Sequence, residues 1–256
     1  MSNNTHLNDA VKLIMESSRT TAFTGAGISV ESGVPPFRGH GALWEKYDPE
    51  VLDISYFHKN PEDSWMVIKE IFYDFFGKVK PNGAHYALAE LEKMGFLQSI
   101  ITQNIDNLHH DAGSVEIYEF HGSSRDLVCT GCGNKESSEN LDLSELPPFC
   151  KKCDYLPKPD FVFFGEQIPE DASSKSWAEA VNSEIFLIIG TSGEVMPASM
   201  IPYEAKKRGK KIIEINVTSS KYTESITDIF LEGKASIVME KLLKKIRKTK
   251  EDGRFK

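Results

Sequence analysis

Residues 24–39, TGAGISVESGVPPFRG, follow the short apolar run 20–23 and place a Gly-x-Gly turn directly after a predicted strand. Such a turn lets the backbone approach the pyrophosphate of a dinucleotide at the first crossover of a parallel sheet. The third glycine of the dehydrogenase fingerprint is missing, because Val30 occupies its position. The stretch therefore predicts a nucleotide site that departs from the dehydrogenase pattern.

The length and composition are those of a globular protein. At 256 residues the chain can bury one large core, or one core with a small satellite. A formal net charge of −8 argues against nucleic-acid binding, which usually shows as a basic surplus. The polar stretch 1–6 lacks the form of a signal peptide, and the longest apolar run, 185–189, is too short for a membrane span. We expect a cytoplasmic monomer with no membrane contact, or a nuclear protein if the source is eukaryotic.

Predicted strands and helices alternate along the chain. Apolar patterns predict strands at 20–24, 99–102, 117–120, 185–189 and 211–215, and helices at 7–17, 85–94, 202–208 and 237–246. This alternation indicates an α/β fold, a parallel sheet with right-handed crossovers. The aromatic-rich stretch 51–76 is predicted to be helical, with breaks at Pro61 and Gly77. A cysteine-bearing segment that ends at Cys153 interrupts the sheet as an insertion.

The four cysteines form two C-x2-C pairs, separated by 17 residues, at Cys129, Cys132, Cys150 and Cys153. Four thiolates complete a tetrahedral zinc shell and leave no open position, so the spacing predicts one structural zinc ion. The alternative is a pair of disulfide bonds, which an intracellular chain disfavours. A catalytic zinc is disfavoured because no water position remains.

Polar or glycine-rich groups follow several of the predicted strands. Such positions lie at the carboxyl edge of a parallel sheet, where open α/β folds bind ligands. Taken alone, each group could also be a loop that caps the next helix. Together they favour a nucleotide site, and they comprise 102–110, His121, 190–193 and Asn216.

In their order along the chain, these motifs resemble those of the sirtuins, NAD-dependent protein-lysine deacylases. The resemblance covers residues 7–243 and is carried by Gly25-Ala26-Gly27-Ile28-Ser29, Phe37-Arg38-Gly39, Thr102-Gln103-Asn104-Ile105-Asp106, His121-Gly122, the two C-x2-C pairs, Phe163-Phe164-Gly165-Glu166 and Gly190-Thr191-Ser192. It implies that NAD is consumed at its glycosidic bond and is not reduced. It also implies a Rossmann-like NAD domain at 1–38, 85–121 and 162–256, and an inserted small domain with a helical part at 39–84 and a zinc ribbon at 122–161.

The resemblance also implies roles for individual residues. His121 is the expected general base, and Asn104 and Asp106 complete the catalytic set. The backbone N–H groups at 25–27 are expected to cradle the pyrophosphate. The expected NAD-binding residues are Gly25, Ala26, Gly27, Ser29, Phe37, Arg38, Gln103, Asn104, Ile105, Asp106, Gly190, Thr191, Ser192, Asn216 and Ala235. An acylated-lysine peptide is expected to pair as a strand between Val162, Phe163, Phe164, Gly165 and Glu166 on one side and Gly193, Glu194 and Val195 on the other.

The implied reaction gives nicotinamide, acyl-ADP-ribose and free lysine, with NAD as co-substrate. Three alternatives stay open at this point: a mono-ADP-ribosyltransferase, a non-catalytic NAD-binding or zinc-dependent interaction module, and, more weakly, a dehydrogenase. The chain departs from the family at Pro36, where an Asp is common, and at Asn107, where a Gly is common. Stretch 65–73 lacks the Tyr-x-x-Arg pair of desuccinylases, which favours a neutral acyl group unless these side chains simply form a core.

Overall fold

The computed structural model describes residues 3–36, 42–75 and 78–253. Phe37 and Arg38, which the resemblance places on a cofactor loop, and the predicted break at Gly77 lie outside the described residues.

Nine strands of the described residues form two sheets: β1 Thr20–Thr24, β2 Ser99–Thr102, β3 Ile117–Glu119, β4 Gly122–Cys129, β5 Lys135–Ser137, β6 Pro157–Phe161, β7 Ile185–Ile189, β8 Lys211–Asn216 and β9 Ile229–Glu232. Six parallel strands have the order β3-β2-β1-β7-β8-β9, and three antiparallel strands have the order β5-β4-β6. Every residue of β1, β2 and β7 is buried, as expected for a parallel sheet covered on both faces. The α/β prediction is confirmed, and the strand order reverses at β1, which places the crevice beside the glycine turn.

Nine α-helices are described in addition to shorter turns. Helices α1, α5 and α9 share a hydrophobic cluster with one face of the large sheet, and α7 and α8 cover the other face. The helices are α1 Asn3–Glu16, α2 Leu43–Lys46, α3 Ile54–Lys59, α4 Pro61–Ile68, α5 Gly83–Lys93, α6 Leu108–Asp111, α7 Glu170–Asn182, α8 Met200–Lys207 and α9 Ala235–Glu251. None of the described helices has the length and apolar composition needed to cross a bilayer.

The small sheet and the helical insertion share one core. The helical insertion comprises α2 to α4 and a π-helix, Lys69–Phe75. Trp65 Nε1 donates to Pro157 O of β6 at 3.1 Å, and the Phe72 and Phe161 rings lie 4.8 Å apart. Trp65 and Phe72 are buried, as are Ile68 and Ile71, so these side chains form a core as the alternative interpretation held.

Candidate active site

The glycine turn after β1 packs against the turn after β7. A Cβ at Gly25 would lie 2.8 Å from Thr191 Cβ, and one at Gly27 would lie 2.7 Å from Gly190 Cα. Gly190 has a φ of 62°, a left-handed conformation that glycine adopts without steric penalty. The glycines therefore allow two backbone turns to touch where the strand order reverses.

The N–H groups of this turn are engaged within the protein. The Gly25 N–H donates to Ile189 O at 3.1 Å, and the Gly27 N–H donates to Gly190 O at 2.8 Å. Both donors therefore bind carbonyl oxygens in this conformation, and the expectation that the N–H groups at 25–27 cradle a pyrophosphate stays a prediction. Ala26 lies between them at the start of a 3₁₀ turn.

A buried hydrogen-bond network joins Ser29, Asn104 and Asp106. Ser29 Oγ donates to Asp106 Oδ2 at 2.6 Å, and Asn104 Nδ2 donates to Ser29 Oγ at 3.2 Å. Burial raises the pKa of Asp106, although hydrogen bonds from Ser29 and the Leu108 N–H oppose that rise. The structure thus brings together three side chains from two separate strand ends.

Two buried histidines, His85 and His109, extend this network. His109 lies in the predicted polar stretch 102–110, but the sequence-based prediction gave neither histidine a role. The Asn82 N–H donates to His85 Nδ1 at 3.3 Å, so His85 Nε2 carries the ring proton and faces Ser29 Oγ at 3.4 Å. Burial lowers the pKa of His85 to about 4 and lowers that of His109 well below its ordinary value. Both rings are therefore neutral at pH 7. The available signal was the capping pair of Asn82 and His85 at the start of α5.

His121 follows β3 closely and is oriented by one hydrogen bond. Its Nδ1 lies 2.9 Å from Gln103 O. Because a carbonyl oxygen only accepts hydrogen bonds, Nδ1 carries the proton and Nε2 keeps its lone pair. Burial lowers the pKa of His121, and the bond to Gln103 opposes that shift. At pH 7 the ring is neutral and can accept a proton at Nε2.

The ends of β2, β7 and β8 also meet through side chains. Gln103 Nε2 donates to Thr191 Oγ1 at 3.2 Å, and Asn216 Nδ2 donates to Thr191 O at 3.1 Å. Ile105 is buried, and Ala235 is buried at the first position of α9. The residues predicted from separate strand ends therefore form one continuous edge.

The predicted substrate segment 162–166 leads from β6 toward the large sheet. On one edge, the Phe164 N–H donates to Leu52 O at 2.9 Å and Phe164 O accepts from the Ile54 N–H at 3.0 Å. Glu166 Oε2 accepts from the Phe163 N–H at 2.8 Å and lies 3.0 Å from Nζ of the buried Lys158.

The second predicted substrate segment, 193–195, follows β7. Gly193 has a φ of 74°, and Glu194 Oε1 lies 3.5 Å from Lys221 Nζ. Of the hydrogen bonds formed by the described residues, none joins this segment to 162–166. The two segments are therefore not paired with each other.

The four cysteine sulfurs lie within 4.8 Å of one another. All four are free thiols, and the two closest pairs are Cys129 with Cys153 at 3.4 Å and Cys132 with Cys150 at 3.7 Å. These distances exclude disulfide bonds and approach the ~3.8 Å separation of sulfurs around tetrahedral zinc. The N–H groups of Gly131 and Lys152 donate to Cys129 Sγ and Cys150 Sγ, each at 3.4 Å. The cluster fits one structural zinc ion.

Comparisons with known proteins agree with this geometry. The model of the Sir2 family matches residues 25–197. NAD-dependent protein deacetylase 1 of Pyrobaculum aerophilum is 44% identical over 243 residues, covering 94% of this chain and 95% of its own length. An NAD-dependent protein deacylase of Pyrococcus furiosus is 43% identical over 252 residues, covering 94% of this chain and 98% of its own length.

Solved structures are also similar. A Sir2 homolog in complex with NAD has a TM-score of 0.88 and 40% identity, with 94% of each chain covered. A Sir2 variant with a deacetylated p53 peptide and 3′-O-acetyl ADP-ribose has a TM-score of 0.85 and 32% identity, covering 98% of this chain and 99% of that one.

Proposed function

The chain belongs to the Sir2 family. On that premise we propose which of its residues bind NAD, bind the acylated peptide and act as general base in an NAD-dependent protein deacylase. The enzyme uses NAD as a co-substrate and transfers an acyl group from lysine to ADP-ribose. The observation that carries the assignment of roles is the orientation of His121, with its Nδ1 proton held by Gln103 O and its Nε2 lone pair free.

The NAD site extends along the carboxyl edge of the large sheet. Asp106 and the backbone at Ile105 would hold the nicotinamide carboxamide, and Gln103 and Asn104 would contact the adjacent ribose. The remaining contacts, with the phosphates and the adenosine side, would come from Ala26, Ser29, Gly190, Thr191, Ser192, Asn216 and Ala235. Gly25 and Gly27 belong to the same turn of the NAD site, and their lack of a side chain lets this turn pack against the turn after β7. We also assign Phe37 and Arg38 to this site on the family resemblance.

The neutral ring of His121 serves as the general base. When the glycosidic bond breaks, nicotinamide leaves with the bonding electrons and the acyl oxygen bonds to the ribose carbon. His121 Nε2 then accepts a proton as the 2′-hydroxyl attacks the acyl carbon. Free lysine and acyl-ADP-ribose form once water completes the transfer. A neutral imidazole is the protonation state that this step requires.

The acylated peptide would lie between segments 162–166 and 193–195, which are not hydrogen-bonded to each other. Main-chain pairing gives binding that depends weakly on substrate sequence. We assign a neutral acyl group only because stretch 65–73 lacks the Tyr-x-x-Arg pair of desuccinylases. The buried apolar side chains of this stretch form a core and do not bear on the choice of acyl group. We also propose two domains. The Rossmann-like domain comprises 1–38, 85–121 and 162–256, and the small domain comprises 39–84 and 122–161.

Mass spectrometry of one incubation tests the proposal. The protein is mixed with NAD and an acetyl-lysine peptide, with the unacetylated peptide as the control. We expect nicotinamide and acetyl-ADP-ribose in equal amounts, and only with the acetylated peptide. ADP-ribose attached to protein would instead indicate a mono-ADP-ribosyltransferase, and reduced NAD a dehydrogenase. If NAD stays intact, the chain is a binding module.

A further inference from the structure

Glu214 is a fully buried carboxylate in the middle of β8. Its oxygens accept hydrogen bonds from three hydroxyls, those of Ser220 at 2.5 Å, Thr223 at 2.9 Å and Thr227 at 2.7 Å. Among the described residues, no Lys, Arg or His forms an ion pair with it. A buried charge of this kind is stabilised only through its hydrogen bonds, so the three hydroxyls and the carboxylate depend on one another.

All three hydroxyls belong to the loop 217–228, which connects β8 to β9. Two of them also accept backbone N–H groups of the same loop. Ser220 Oγ accepts from the Tyr222 N–H at 3.0 Å, and Thr223 Oγ1 accepts from the Ser220 N–H at 2.8 Å. Because each hydroxyl proton points to Glu214, the oxygen lone pairs face these N–H groups. The carboxylate thus sets the conformation of the loop.

The loop in turn supports the segment after β7. The Lys221 N–H donates to Ser192 O at 3.1 Å. The ring of Tyr222, which is fully buried, lies 3.0 Å from the position that a Cβ on Gly193 would occupy. Tyr222 Oη also donates to Ser199 O at 3.0 Å. The loop therefore contacts the backbone on both sides of Gly193.

We propose that Glu214 is a positioning residue for NAD binding, acting through the loop 217–228 on Ser192 and Gly193. The proposal rests on the proposed assignment of Ser192 and Asn216 to NAD. Glu214 itself lies beneath this edge and contacts the loop hydroxyls, not the reacting groups. Without the carboxylate, the loop is free to take other conformations, and the NAD-competent one is less populated.

Two substitutions test the proposal, each removing acceptors or donors without adding bulk. Thr227→Val removes one hydroxyl and keeps the side-chain shape, and Glu214→Leu removes all three acceptor bonds. We expect KM for NAD to rise about tenfold in Thr227→Val, the factor that corresponds to one hydrogen bond to a charged group, and further in Glu214→Leu. We expect kcat at saturating NAD to stay unchanged. Glu214→Gln keeps one acceptor oxygen and should raise KM less than Glu214→Leu does.

The matched control is Thr21→Val, at the opposite end of the sheet. Thr21 Oγ1 donates to Glu179, another buried carboxylate, at 3.0 Å. This variant should lose thermal stability as Thr227→Val does but keep the KM of the wild type. Equal KM values in the two threonine variants would overturn the proposal, and so would a normal KM in a folded Glu214→Leu protein. If Glu214→Leu does not fold, the comparison of KM between Thr227→Val and Thr21→Val tests the proposal alone.

Calorimetric titration with ADP-ribose gives the same comparison without turnover. The wild type is assayed first for peptide-dependent nicotinamide release, which tests the proposed function alone. A wild type that fails this assay contradicts the proposed function. A wild type that passes it, together with unchanged ADP-ribose affinity in Thr227→Val, contradicts only the role of Glu214.

Discussion

Gly27→Ala tests whether the glycine turn exists for close packing. The new Cβ would lie 2.7 Å from Gly190 Cα and 2.8 Å from Gly190 O, both backbone atoms. Overpacking of this kind costs ~1–3 kcal/mol. Separating the turns would also stretch the hydrogen bond from the Gly27 N–H to Gly190 O, worth ~1 kcal/mol. Alanine also reduces the conformational freedom of the unfolded chain, which offsets ~0.4–1 kcal/mol of this cost. We expect a net loss of about 2 kcal/mol in the free energy of unfolding.

Urea denaturation followed by tryptophan fluorescence measures this loss, and initial rates with varied NAD measure KM. Gly33→Ala is the control, because a Cβ there meets nothing within 4 Å and its φ of 95° alone costs ~1–2 kcal/mol. The control should lose stability but keep a normal KM, whereas Gly27→Ala should raise KM. A Gly27→Ala protein with the stability and KM of the wild type would refute the packing argument.

Three further predictions concern the histidines and the cysteines. His121→Ala should abolish deacylation but keep ADP-ribose affinity in a titration. Because burial lowers the pKa of His121, kcat/KM of the wild type should fall only below pH 6.5, and an acidic limb centred above that value would contradict the assignment. Cys129→Ala, or a strong chelator, should release zinc and unfold the small sheet, and full activity in metal-free protein would show the cysteine interpretation to be wrong. Burial holds His85 neutral with a pKa of about 4. Its contribution to the free energy of unfolding is therefore present above pH 6.5 and is lost as pH falls toward 4. The resulting decrease of about 3 kcal/mol in unfolding free energy should shrink in His85→Gln, measured by denaturation at each pH.

The sequence predicts best what local pattern determines. The strands Thr20–Thr24 and Ile185–Ile189 have the predicted bounds, because apolar runs of this length form buried strands. Helix α7 was missed because it presents few apolar side chains and buries Ser176, Glu179 and Ala180. Strand β9 was missed because its apolar run is only three residues long, and of these only Leu231 is buried.

In the candidate site, too, local sequence patterns indicated some features, whereas long-range contacts could not be predicted. Asn104 and Asp106 lie in one hydrogen-bond network, as their positions after a predicted strand indicated. The four cysteine sulfurs lie together, as the spacing of the cysteines indicated. The partners of the Gly25 and Gly27 N–H groups, Ile189 O and Gly190 O, could not be predicted, because such long-range contacts leave no local pattern. The capping pair with Asn82 was a local signal for His85, but the contact of His85 with Ser29 was not predictable, since Ser29 is 56 residues away. The cytoplasmic location and the monomeric state remain predictions.

The small sheet and the helical insertion share a core, and the helical insertion is synthesised before the strand that completes this core. Trp65 hydrogen-bonds to Pro157, which is 92 residues later in the chain. At ribosomal speeds of ~5–20 residues per second, Trp65 and Phe57 therefore emerge about 5–20 s before the strand that covers them. During that interval the nascent chain exposes aromatic surface of the kind that chaperones bind. The yield of folded enzyme should consequently depend on zinc supply and chaperone capacity in the producing cell, even though no cysteine takes part in the chemistry.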